Sequence, residues 1–144
     1  MDFLETLPPI PWRDRLDEFL TRCEDMPVPA REDAHAMAQS LCTLLRQAPD
    51  TVKKRFPLPE DNTLRALVES GSIEQILLMI TKPVGIMTSR APSGYAIATI
   101  AVPELEIENS FSSSNSLAHA MTGAIAGAAI GIIAAEGERG STEG

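Results

Sequence analysis

At 144 residues, with 44% apolar and 22% charged side chains, the chain has the length of one ordinary domain and enough apolar content to build a core, which excludes whole-chain disorder. A formal charge of −8 leaves no broad basic field for phosphate and argues against nucleic acid as a partner. Aromatic residues make up only 4%, so the core has to be aliphatic and alanine-rich.

Residues 1–11 carry Pro8, Pro9 and Pro11 and read as an extended arm. From Trp12 the helical period sets in: Trp12, Leu16, Phe19, Leu20 and Cys23 fall on one face, and Pro27 and Pro29 end the element. A second helix is predicted from about Ala30 to Gln47, with Glu32 and Asp33 favouring its positive end. Its apolar stripe is Ala34, Met37, Ala38, Leu41, Leu44 and Leu45, and Pro49 stops it. Asp50 reads as the cap of a short turn over 51–56, which carries Lys53, Lys54 and Arg55. Asp61 or Asn62 opens a third helix with Leu64, Leu67 and Val68 inward. Gly71 ends that helix, and Ser72 with Gln75 has the capping-box spacing for a fourth, with Ile73, Ile76, Leu77 and Ile80 inward.

Past Pro83 the pattern changes to strands. Residues 84–88 form a short apolar run, and Ala91-Pro92-Ser93-Gly94 has turn chemistry. Tyr95 to Val102 alternates, and Glu104 to Phe111 alternates more cleanly, with Leu105, Ile107, Asn109 and Phe111 inward against Glu104, Glu106, Glu108 and Ser110. The serine-rich stretch 112–116 supplies competing caps for a final helix, and the tail 137–144 is polar and expected to be disordered. The chain therefore predicts an α+β fold. A helical N-terminal half, residues 12–82, is followed by a three-stranded antiparallel meander packed against a long apolar C-terminal helix, residues 83–136, and both parts belong to one domain.

The last helix is the most unusual element. Leu117 to Ala135 contains no charge, and Gly123, Gly127 and Gly131 recur every four residues on one side. Each interior glycine costs roughly 1 kcal/mol against alanine, so three in register require a packing reason. The expected reason is a helix sheltered on all sides. Leu117, Met121, Ile125 and Ile132 would lie on the sheet, and the strip His119, Gly123, Gly127, Gly131, Ala135 would face a second helix, from the N-terminal helices or, as the favoured expectation, from a second copy of the chain. The alternative places residues 117–135 in a bilayer, since nineteen residues rising about 1.5 Å each just cross the hydrocarbon layer. Residues 119–135 resemble the glycine-zipper segments of bacterial membrane-associated proteins, which implies helix–helix packing in lipid. The helix 72–81 followed by β-β-β-α over 84–136 resembles the topology of double-stranded-RNA-binding domains. Those domains grip phosphate with lysines where this chain reads Ser112 to His119, so no RNA binding is implied.

Other candidate residues carry little chemistry. His35 and Cys42 share a helix face but stand about 10 Å apart, too far for a nucleophile and its base. Glu104, Glu106 and Glu108 would form an acidic strand face with a repeat of about 6.8 Å, read as solvated. Cys23 and Cys42 lack metal or redox spacing and read as reduced, buried thiols of a cytoplasmic protein. No nucleophile elbow, phosphate loop or zinc spacing occurs, and no catalytic residue, metal or cofactor is expected. The expectation is a small non-catalytic interaction or regulatory protein that forms a homodimer through the glycine strip and binds an unidentified protein partner.

Overall fold

The computed structural model describes residues 6–26 and 28–143, with side chains through Gly137. Helices α1 (Pro9–Glu24), α2 (Arg31–Arg46), α3 (Asp50–Lys53), α4 (Asp61–Glu69) and α5 (Ile73–Ile80) come first. Strands β1 (Gly85–Arg90), β2 (Ala96–Val102) and β3 (Ile107–Ser113) follow, and α6 (Leu117–Glu143) closes the chain. The fold is α+β as expected, with an antiparallel sheet in the order β1-β2-β3 packed on α6.

The amphipathic helices follow their sequence period. Trp12, Leu16, Phe19 and Cys23 are the buried face of α1, and the α2 stripe is buried except for half-buried Leu44. The Trp12 indole N–H donates to the Leu44 carbonyl at 2.7 Å and locks the two helices together. Helix α1 starts earlier than expected, at Pro9 within the proline-rich arm. A proline in the first turn forfeits no hydrogen bond, because those N–H groups have no helical partner. Residues 1–5 of that arm lie outside the described residues. Ser72 occupies the N-cap of α5 without making a side-chain cap, so the capping box does not form; its hydroxyl pairs with that of Ser70 at 2.9 Å.

The β1–β2 turn takes the expected place. Gly94 donates to the Ala91 carbonyl, Ala91 N–H donates to the Tyr95 carbonyl, and Gly94 has φ +98°. This is a three-residue hairpin closed by a left-handed glycine. The register pairs Met87 with Thr99 and Thr99 with Ser110, and Ala98 with Phe111 on the opposite face. Strand β3 begins later than expected. Pro103–Leu105 makes one 3-10 turn and Glu106 sits at φ +55°, so the alternation from Glu104 becomes strand only at Ile107.

Helix α6 is the centre of the molecule, touching β2 and β3 on one side and α1, α2, α3 and α5 on the other. His119 and Thr122, its only polar side chains up to Ala135, are fully buried with it. The helix continues to Glu143, through most of the polar stretch 137–144, and no proline interrupts the backbone ladder after Glu136.

Candidate functional site

The glycine strip does not meet a second helix. It meets β3 of the same chain. A Cβ placed on Gly123 would collide with the Phe111 ring, and one on Gly127 with the Asn109 amide. One on Gly131 would touch Ile107 Cδ1 at 3.4 Å. The pairing is one to one and antiparallel, and its cause is a match of repeats. Four residues of helix rise about 6 Å, and two residues of strand advance about 6.8 Å. The inward row Ile107, Asn109, Phe111 therefore drops into three successive gaps along the helix. The large side chains accordingly point the other way. Residues two apart on a helix lie about 200° apart, so Met121 and Ile125 turn from the sheet toward the helical layer, both fully buried. The expectation that they would pack on the sheet is thus reversed, because β3 supplies the bulk and α6 the gap.

The proposed interface residues are therefore largely consumed inside one chain. His119 is fully buried at the start of α6. Its Nε2 donates to the Cys23 carbonyl at 2.9 Å, which ties α6 to the end of α1. Its ring stands edge-on to Phe111 with centroids 5.6 Å apart. Its other ring nitrogen, Nδ1, is buried without a hydrogen-bond partner. Gly123 and Gly127 are buried, whereas Gly131 and Ala135 are half-buried.

The remaining candidates stay apart. His35 lines a polar cleft of about 810 Å³ with Arg31, Glu74 and Arg90. Cys42 lines a groove of about 510 Å³ between α2 and α4, rimmed by Arg46, Asp61 and Arg65. Burial pushes the Cys23 thiol up to about 12 and the Cys42 thiol up to about 11, so both stay protonated and unreactive near neutrality. Both are free. The acidic strand face is broken up: Glu104 belongs to the 3-10 turn and pairs with Arg55, Glu106 is left-handed, and only Glu108 stands on the strand. The Glu104 carboxyl is held below its ordinary value, first by its own backbone N–H and then by Arg55. In the basic run, Lys53 bonds Thr6 at 2.9 Å and Arg55 bonds Glu104. Among the described residues no group of three His, Cys, Asp or Glu is placed to hold a metal ion.

Among the described residues an apolar surface lies uncovered on the sheet, in addition to the exposed Ile10, Val28 and Leu78 elsewhere. The face turned away from α6 carries three rows: Gly85, Ala101, Glu108; Met87, Thr99, Ser110; and Ser89, Ile97, Ser112. Met87 is 69% exposed, Ile97 37%, and Tyr95 at its rim 44%. Strand β1 is the barest element, with only Ile86 half-buried. The charge-free run from Pro83 to Ser89 is the one trace of this surface in the sequence. Compared with protein-family models, curated proteins and solved structures, the chain matches none.

Proposed function

We propose that this is a small non-catalytic interaction protein that works as a pair of identical chains associated through its sheet rather than through its last helix. The observation that carries this is the bare edge strand β1, with Met87 69% exposed beside exposed Ile97 of β2 and Tyr95 at its rim. Exposed apolar surface gathered on one element favours association, whereas scattered single residues need no partner. The filling of the glycine strip by β3 supports moving the contact away from α6, to the bare β1 side of the sheet. The protonated, buried thiols are consistent with a cytoplasmic site of action.

The alternative is a membrane-associated protein with α6 in the bilayer. It draws on the apolar stretch Leu117–Gly137, which is long enough to cross. Against it, 78% of the most apolar window of that stretch is already buried by the chain's own sheet and helices. Detergent-free size exclusion with light scattering tests both readings. A particle of twice 15.5 kDa is the expected outcome. A 15.5 kDa particle at every concentration up to several hundred micromolar overturns the pairing, and protein recovered only from membranes with detergent favours the alternative.

A further inference from the structure

We propose that two copies join edge to edge along β1, antiparallel, with Thr88 facing Thr88 of the second copy across a two-fold axis. This rests on the self-association reading above and names the contact that makes it. The two three-stranded sheets then become one continuous sheet.

The backbone decides which groups are free. Ala91 N–H bonds the Tyr95 carbonyl, so residues 91 and 95 form a hydrogen-bonded pair. In an antiparallel ladder such pairs alternate with non-bonded ones. Stepping back by two along the register makes Ser89–Ile97, Met87–Thr99 and Gly85–Ala101 the bonded pairs. Gly85, Met87 and Ser89 therefore aim their N–H and C=O groups at β2. Ile86, Thr88 and Arg90 aim theirs outward, off the edge of the sheet.

The edge is undefended. Exposed edges are ordinarily blunted by proline, lysine, inward charges or bulges. Gly85–Arg90 contains none of the first three in its middle, its pairing with β2 is unbroken, and its one charge is the terminal Arg90. The opposite edge differs: β3 follows a 3-10 turn and the left-handed Glu106, and carries Glu108. A second copy bearing −8 meets no carboxylate along β1. Antiparallel self-pairing also sends the two Arg90 side chains to opposite ends.

The register follows from the same parity. A continuous sheet must keep each copy's outward face on one side, so outward residues pair with outward residues. Centring on Thr88 sets Ile86 against Arg90 on both sides of the axis and uses only outward-aimed groups. Centring on Met87 instead requires Val84, whose N–H is already bonded to the Thr81 carbonyl at 3.1 Å. In the favoured register the alkyl stem of each Arg90 covers the Ile86 of the other copy, and Thr88 meets Thr88 as a β-branched pair.

Thr88→Pro deletes an outward N–H and leaves the β2 ladder intact, whereas Thr88→Val keeps that N–H. Light scattering is expected to show the wild type and Thr88→Val as pairs and Thr88→Pro as a folded single chain, with at least a tenfold weaker association. A Thr88→Pro protein that is folded and still paired overturns the β1 contact while leaving self-association standing. A wild type that never pairs overturns both. Hydrogen exchange on the wild type covers the case in which Thr88→Pro fails to fold. The amides of Ile86, Thr88 and Arg90 are expected to gain protection as concentration rises, and concentration-independent exchange there overturns the proposal.

Discussion

The two sides of α6 solve one packing problem in opposite ways. Toward the helical layer of α1, α2, α3 and α5 it turns the fully buried Met121 and Ile125. Toward the sheet it offers bare backbone and receives Phe111, Asn109 and Ile107. Bulk on one side is helix-borne, and bulk on the other is strand-borne. A glycine row thus marks where a neighbour comes close, and the neighbour here has a repeat of two rather than 3.6.

The comparison is broken most severely from the bulky side. Ile125→Ala leaves a void in a fully buried site and should cost about 2–5 kcal/mol, read as a lower urea midpoint with an unchanged slope. A loss below about 1 kcal/mol would mean that the helical layer collapses onto the gap and the two sides are not distinct.

The bare side should respond as a gradient. Gly123→Ala drives a methyl into the root of the Phe111 ring, which cannot swing away, and should destabilise by about 1–3 kcal/mol. The penalty should shrink in a Phe111→Leu background. Gly127→Ala should cost less, because the colliding atoms are the far end of Asn109. At Gly131 the added methyl finds ordinary contact, so Gly131→Ala should stabilise by about 0.5–1 kcal/mol through reduced backbone freedom in the unfolded chain. Equal effects at all three positions would refute the one-to-one match with β3.

A further expected effect is confined to alkaline pH. Folding raises Cys23 from 9.0 to about 12 and Cys42 from 9.0 to about 11 through burial. The unfolded thiols release their protons above about pH 9 while the folded ones keep theirs. Their contribution is complete below pH 9 and is lost as pH climbs toward 12. Urea midpoints should therefore fall across this window, and Cys23→Ala with Cys42→Ala should flatten the slope. An unaltered slope in the double variant would assign it to other groups.

Much of the fold could be read from spacing alone. The faces of α1, α2 and α5 followed from the 3.6 repeat, and the inward row of β3 from strict alternation, because each element buries a single face. The all-round apolar α6 showed that it was sheltered but not by what, since a helix without a polar stripe carries no directional signal. The clue was the equal pitch of Gly123-Gly127-Gly131 and Ile107-Asn109-Phe111, which emerges only when the two segments are compared. Element ends were least legible: Pro9 fits a first helical turn as well as an arm, and Glu106 needed a left-handed backbone that its side chain does not announce. The free edge of β1 was obscure because its partner groups are main-chain atoms, identical in every residue but proline.

Trp12 and Tyr95 are the chain's only tryptophan and tyrosine, and they sit in different layers. The indole is sealed in the helical layer with its N–H on Leu44, so its emission should be blue-shifted and report the undocking of α1 from α2. The phenol stands at the rim of the outward sheet face, where ultraviolet difference spectra respond to whatever approaches β1 and β2. Nature has thus placed one optical label in each layer, and the order in which they change during unfolding can be followed without adding a dye.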